Sequence, residues 1–187
     1  MRPRYGNKEE YPFLPYRQAS LTARVHGGRS MIRPTTPSDT PTLVRLAEAT
    51  GVFKPIEIQA LQEVLDDYHD EMHKHGHRAI TFEQKGAIIG FAYYAPTAMT
   101  DRGWHLYWIA VSKQTQARGV GSKLLRYVED DIRHEHGRQL LIETSSLPHY
   151  ELTRRFYLKH GYAQVCALPD YYADGDDMVV FRKRFLP

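Results

Sequence analysis

Residues 104–125 read WHLYWIAVSKQTQARGVGSKLL. Trp104–Val111 is rich in aromatic and β-branched residues, the composition of a strand. A turn holding Gln116, Arg118, Gly119, Val120 and Gly121 follows, and a helix begins at once. Gly119–His136 carries Val120, Leu124, Leu125, Val128 and Ile132 at three- and four-residue spacing, so one face of that helix is apolar. A helix start leaves backbone N–H groups without partners and carries partial positive charge. Glycines there let a ligand approach the main chain, which makes the turn a seat for phosphate, with Arg118 and Lys123 adding charge. Two common phosphate patterns do not fit. The Walker pattern needs a glycine immediately before its lysine, where Ser122 stands. The dinucleotide pattern G-x-G-x-x-G needs a third glycine where Leu124 stands. What is present is Q-x-x-G-x-G, from Gln116 to Gly121.

The elements around this segment alternate. Met31–Arg33 predicts a short first strand. Asp39 caps a helix through Ala49, with Gly51 as its stop. Pro55 opens a second helix with Leu61, Val64, Leu65, Tyr68 and Met72 as its stripe. Arg78–Glu83 and Ile88–Tyr94 read as strands around a turn at Lys85-Gly86. After the glycine turn come a strand at Gln139–Thr144, a short helix at Tyr150–His160 ended by Gly161, and closing strands at Tyr162–Leu168 and Met178–Phe185. The order β-α-α-β-β-β-α-β-α-β-β predicts an α/β fold, a mixed sheet with helices on both faces.

The chain has 187 residues, the size of one domain. An apolar fraction of 42% and a charged fraction of 25% exclude wholesale disorder and collagen-like sequence. No apolar run is long enough to span a bilayer, and the N-terminus shows no apolar signal region. Cys166 is the only cysteine, which excludes an internal disulfide and a cysteine-based zinc site. A cytoplasmic protein is the expectation. Residues 1–30 hold six basic and two acidic residues and the remaining 157 hold 19 and 20, so the formal charge of +3 comes from the extension. A near-neutral body gives no clustered cations for nucleic acid. Three prolines, Gly27-Gly28 and the lack of periodicity predict that residues 1–30 are a disordered basic extension.

Three segments, taken together, resemble the GCN5-related N-acetyltransferase (GNAT) superfamily over roughly residues 31–185. They are the strand end Trp108-Ile109-Ala110-Val111, the turn Gln116–Gly121, and Arg155-Phe156-Tyr157-Leu158-Lys159-His160-Gly161-Tyr162, which is similar to the family's late FY-x-x-x-G-[FY] signature. They stand in the family's order and spacing. The resemblance implies a GNAT-type domain over residues 31–187, with acetyl-CoA as co-substrate and no metal. It implies that Ile109, Ala110 and Val111 line the pantetheine arm, where the strand end splays from its neighbour. It places Gln116, Arg118, Gly119, Val120, Gly121 and Ser122 on the pyrophosphate. Relatives place an asparagine seven residues before the signature tyrosine. Here that position is Tyr150, and Arg154 is the candidate to compensate on the coenzyme.

Acetyl transfer to an amine makes three demands. An alkyl ammonium has a pKa near 10.4, so about one molecule in a thousand is neutral at pH 7.4 and a base is useful. Glu143 is the candidate, near the end of its strand as in the ribosomal-protein acetyltransferases that this chain resembles. It acts directly or through a water, or else is a solvated or capping glutamate. A backbone N–H at a bulged strand end, around Ala110 or Val111, is the candidate for stabilising the oxyanion. Tyr157 matches the family's general-acid tyrosine. On a helix Tyr150, Arg154 and Tyr157 share one face, so Tyr157 reaches the thiol if that face meets the coenzyme. Otherwise it is a core aromatic.

Asp170, Asp174, Asp176 and Asp177 around Tyr171-Tyr172 are either turn residues or a mouth for a cationic amine. Tyr171, Tyr172 and Tyr107 are the candidate acceptor walls. Tyr93, Tyr94 and Trp104 are further walls or sheet core. His69 and His73, four apart, read as a solvated helix end rather than a metal pair. Cys166 reads as a small buried residue. The expected reaction is direct transfer of acetyl to a primary amine of a small molecule. The alternatives are a protein N-terminal or lysine acetyltransferase and a non-catalytic CoA-binding sensor. Neither a membrane nor a nucleic acid is an expected partner, and a homodimer through an edge strand fits the pattern.

Overall fold

Strand-forming segments of this chain assemble into one sheet. The structure is a computed structural model that describes residues 23–25, 30–115 and 119–185. Its strands are β1 (Ala23–Val25), β2 (Ser30–Pro34), β3 (Arg78–Gln84), β4 (Ala87–Pro96), β5 (Gly103–Val111), β6 (Gln139–Ser145), β7 (Ala163–Ala173) and β8 (Asp176–Arg184). They lie in the order β1-β2-β3-β4-β5-β6-β8-β7. Every pair is antiparallel except β5 with β6. A parallel pair needs a long crossover, and the helix after the glycine turn supplies it.

Helices cover both faces. α1 (Thr40–Thr50) and α2 (Pro55–Asp70) bury Leu43, Leu46, Leu61, Leu65 and Tyr68 against Phe91, Tyr93 and Ala110 on one face. α3 (Val120–His134) and α4 (Glu151–Lys159) lie on the other. There Val120, Leu124, Leu125, Val128, Ile132 and Tyr157 pack on Phe82, Tyr94, Leu106 and Phe181. Each fully buried aliphatic or aromatic side chain contributes about 1.5–3 kcal/mol, so the α3 stripe holds the start of that helix firmly on the sheet. Gly90 lets it come close. A methyl group there would stand 3.0 Å from Leu124 and 3.1 Å from the Ala110 carbonyl. Beneath α3, Asp131 accepts hydrogen bonds from Arg78 and from the Tyr94 hydroxyl, tying β3 and β4 to the helix.

Several elements depart from the sequence expectations. A strand at Ala23–Val25, inside the expected extension, pairs with β2; residues 1–22 and 26–29 lie outside the described residues. α2 ends at Asp70 and a 3-10 turn at Met72–His75 follows, so His69 and His73 do not share one helix. His73 Nδ1 instead donates to the Tyr68 carbonyl at 2.8 Å. β7 runs on to Ala173 through an irregularity between Leu168 and Ala173, and the polar loop shrinks to a turn at Asp174-Gly175. Asp170 Oδ1 accepts the Gly175 N–H and Asp177 Oδ1 accepts the Asp170 N–H, so these side chains hold the hairpin. Cys166 is exposed, not buried, because β7 is the edge of the sheet.

Candidate active site

The sheet splits between β5 and β6. Their ladder runs from Gly103↔Gln139 to Leu106↔Ile142 and stops. β6 continues along β8 as far as Ser145, while β5 continues along β4 as far as Val111. Beyond Leu106, therefore, β5 has a strand partner on one side only. The register with β4 passes from Trp108 opposite Tyr93 to Leu106 opposite Tyr94, so Tyr107 is the extra residue of a bulge. A bulge re-aims side chains. His105, Tyr107 and Trp108 all line the space beside the split, where strict alternation would have sent two neighbours to opposite faces.

The bulge sits earlier than the sequence suggested, at Tyr107 rather than at Ala110 or Val111. The Ser112 N–H donates to the Ile89 carbonyl. In an antiparallel ladder such groups alternate. The N–H of Ala110 therefore faces β4, and those of Ile109 and Val111 face the split. Ala110 packs its side chain in the core under α1 and α2.

The split opens at the start of α3. Gly119 takes the left-handed conformation (φ 74°) as the residue before the helix, where a side chain would be strained. Among the described residues the first bond of the helix is from the Lys123 N–H to the Gly119 carbonyl, and the N–H groups of Val120, Gly121 and Ser122 stand at the helix mouth with no partner among those residues. A methyl group on Gly121 would stand 3.6 Å from Phe156 and 3.7 Å from Val111, ordinary contact distances. The fold itself thus leaves room for a side chain there. His160 braces this turn: its Nδ1–H donates to the Phe156 carbonyl and its Nε2 meets the Ser122 hydroxyl at 2.9 Å. Lys123 extends over the Phe82 ring. Gln116 and Arg118 lie outside the described residues.

A cavity of about 320 Å³ fills the split and continues toward the α1–α2 side. Ile109, Ala110, Val111 and Tyr157 line one part of it. Tyr157 is 4% exposed, its hydroxyl has no hydrogen bond among the described residues, and burial pushes its phenol well above the usual value. It is therefore protonated at neutral pH. Toward α2 the lining is Phe53, Tyr107, Trp108, Glu143 and Tyr172. Phe53 and Trp108 pack at 5.1 Å. Burial, with Glu143 adding to it, pushes the Tyr172 phenol up to about 12.

Other expected residues sit elsewhere. Tyr150 belongs to a 3-10 turn before α4, and its hydroxyl donates to the Val52 carbonyl at 3.2 Å. Tyr150, Thr153 and Tyr157 form the lining face, not Tyr150, Arg154 and Tyr157. The Arg154 guanidinium is taken by the carbonyls of Ser145 (2.7 Å) and Leu147 (3.0 Å), where it holds the end of β6 against α4. Tyr171 is exposed and contributes only an edge contact to the Tyr172 ring. Tyr94 and Trp104 belong to the core beneath α3, and Tyr93 to the core beneath α1 and α2.

The sequence alone gives no site role to His105, Phe53, Trp108 or Lys54, and gives Asp176 none apart from its neighbours. Asp176 lines the cavity at 2% exposure. It accepts hydrogen bonds from the Ser145 hydroxyl and from Lys54 Nζ at 2.9 Å. Burial opposes the charge of its carboxylate, but these two donors outweigh it and hold the carboxyl below its usual value. The Lys54–Asp176 pair joins the loop before α2 to β8 across the cavity. Lys54 stands before Pro55, and Glu57 accepts its backbone N–H at 2.6 Å, the capping pattern that starts α2. No signal within either segment foretells their meeting.

An α/β sheet split between its one parallel pair, with a glycine-bearing helix start at the split, is the arrangement that the resemblance to the GNAT superfamily implies, and comparison with known proteins agrees. Residues 75–164 match the family model of the acetyltransferase (GNAT) domain. A crystal structure from Desulfovibrio desulfuricans, assigned to the GNAT family of acetyltransferases, is 34% identical and superposes with a TM-score of 0.79 over 83% of this chain and 98% of that one. The uncharacterized N-acetyltransferase MJ1530 of Methanocaldococcus jannaschii is 30% identical over 105 residues, 54% of this chain. The matched segment spans 63% of that curated relative's length. The PaiA N-acetyltransferase of Thermoplasma acidophilum, solved with coenzyme A, shares the fold at 15% identity and a TM-score of 0.65, over 83% of this chain and 99% of that one. The chain belongs to the GNAT family of N-acetyltransferases. Among the described residues no helix is long and apolar enough to cross a membrane, and no group of three or more His, Cys, Asp or Glu side chains gathers around a metal-sized site.

Proposed function

We propose that this chain transfers the acetyl group of acetyl-CoA to a primary amine of a small molecule, by direct attack in a ternary complex. The observation that carries the reading is the split between β5 and β6 opening onto the start of α3. The residues there suit the coenzyme. Three N–H groups at a helix mouth suit a diphosphate. Gly121 leaves space that neighbouring side chains do not need. The Ile109 and Val111 main chain, unpaired toward β6, offers hydrogen bonds to an amide-bearing arm. Acetyl-CoA, as co-substrate, supplies the thioester.

The chain's own groups then divide the work. The ammonium enters between Phe53, Tyr107, Trp108 and Tyr172, drawn by Glu143, and sheds a proton on the Glu143 side of the cavity. The neutral amine forms a C–N bond with the thioester carbon. The Ile109 or Val111 N–H accommodates the negative charge on the carbonyl oxygen. The C–S bond breaks, and Tyr157 gives its proton to the departing sulfur and is reprotonated by the second proton that the nitrogen loses. The sum is ammonium plus thioester giving amide, thiol and one proton.

A small acceptor is favoured by the enclosure. The Lys54–Asp176 pair and the Tyr150–Val52 hydrogen bond narrow the α2 end of a cavity whose size fits a small ligand. A thiol-release assay with a panel of alkyl amines, amino sugars and peptides tests this. Turnover with free amines supports it. Release with peptides alone would assign a protein acceptor. Saturable acetyl-CoA binding without release from any amine would reduce the chain to a sensor.

A further inference from the structure

His105 belongs to none of the expected roles, yet it stands at the bulge. It lies opposite Leu141 in the parallel ladder, and Glu143 follows two residues on, so His105 and Glu143 share one face of the sheet. The imidazole stacks on the Tyr107 ring at 4.5 Å and 21°, which fixes its plane. It is 9% exposed and lines the cavity. His73, His77 and His160 each commit Nδ1 to a carbonyl or a phenol. The nitrogens of His105 make no hydrogen bond among the described residues. An imidazole held rigidly in a cavity with its nitrogens uncommitted is a proton acceptor in waiting.

On the reading given above as the proposed function, we propose that His105 is the group that takes the proton of the acceptor ammonium, and that Glu143 acts through it by stabilising the resulting imidazolium. The N–H bond of the ammonium breaks, its electron pair stays on nitrogen, and the proton passes to an imidazole nitrogen and then to solvent. The second nitrogen proton leaves after the C–N bond has formed, as described above. No oxidant or other co-reactant is involved.

The surroundings agree with this division. Burial holds the His105 imidazolium below its usual pKa, so the ring is neutral and basic at neutral pH, and Glu143 works in the opposite direction. The other titratable groups around it are Tyr107 on its own strand and Tyr93 on β4. Across the cavity stand Lys54 and Glu57 at the start of α2, Tyr150 before α4, Tyr172 on β7 and Asp176 on β8. Lys54 is neutralised by Asp176, and Glu57 is engaged in capping α2. Glu143 is thus the carboxylate left to act on the ring. As classes, imidazoles near 6.5 are stronger bases than carboxylates near 4.3, which favours the histidine as the resting place of the proton.

The test compares the full-length wild type with His105→Gln and Glu143→Gln. Each is assayed for thiol release from acetyl-CoA with the amine that the wild type uses best, across pH 5–9, beside calorimetric titration with CoA. The wild type should show an acid limb in kcat/KM below pH 6.5. His105→Gln should lose about 10²- to 10⁴-fold in kcat/KM, lose the acid limb, and bind CoA within threefold of wild type. Glu143→Gln should keep the limb but move it to lower pH. His105→Ala, should the glutamine fold poorly, should regain activity with added imidazole. An activity of His105→Gln within twofold of wild type, or an acid limb unchanged in it, would overturn the proposal while leaving the acetyltransferase reading intact. A wild type that releases no thiol with any amine would remove both.

Discussion

Tyr157 combines a buried ring, a hydroxyl with no competing hydrogen bond among the described residues, and a place beside the sheet split. Replacing it with phenylalanine keeps the packing against Tyr162 and Phe181 and removes only the hydroxyl that would supply the proton. Tyr157→Phe should lower kcat by about 10- to 1000-fold with CoA affinity unchanged, because a thiol near pKa 8.5 still leaves unaided at some rate. Stopped-flow or steady-state thiol release checks this. Asp176 belongs to stability as well as to the cavity. Its carboxyl is lower in the folded than in the unfolded chain, so its contribution is present above about pH 4 and is lost as pH falls through the folded value. Asp176→Asn should remove the charge that faces Lys54, leave one of the two donors Lys54 and Ser145 facing an NH2 group instead of an acceptor, lower the melting temperature at pH 7, and flatten the loss of stability below pH 4. Melting curves from pH 2.5 to 7 show both effects.

At the scale of elements, what the sequence reveals depends on how local the cause is. The glycine turn and the Phe156–Tyr162 segment declare themselves, because a helix start and a helix face are written in consecutive residues. The β5 bulge does not. Its position follows from which residue of β4 stands opposite Tyr107, and that in turn sends Trp108 and His105 into the cavity. Arg154 reads as a coenzyme ligand from its place on α4, but its guanidinium meets the carbonyls at the end of β6, a partner that only the tertiary fold brings near. Cys166 reads as buried because its neighbours are apolar, whereas the order β6-β8-β7 leaves its strand at the edge. Gly90 likewise looks unremarkable in sequence, yet it sets the distance from β4 to α3. Gly90→Val should push Leu124 and Val120 away, cost about 1–3 kcal/mol of stability, and weaken CoA binding by displacing the helix start. Urea unfolding and CoA titration of the one variant read both; normal CoA binding in a destabilised protein would mean that the helix start tolerates the shift.

The described residues form two helical layers on one sheet, with the proposed site where the sheet fails to close. A ligand that bridges that split binds the folded chain and not the unfolded one. At a hundred times its dissociation constant, acetyl-CoA should add about 2.7 kcal/mol of stability. For a chain of this size that corresponds to a rise in melting temperature of about 5–11 °C. A scan with and without the coenzyme measures it, and no shift at millimolar concentration would argue against a coenzyme in the split. The most direct test is a calorimetric titration of Gly121→Ala with CoA beside the wild type. Alanine fits the protein at this position and is the better helix former, so the variant without ligand should melt at or above the wild-type temperature. It should bind CoA at least tenfold more weakly, because its methyl group occupies the space over the helix mouth. Equal CoA affinity in the two proteins would contradict the assignment of that helix start as the coenzyme's seat.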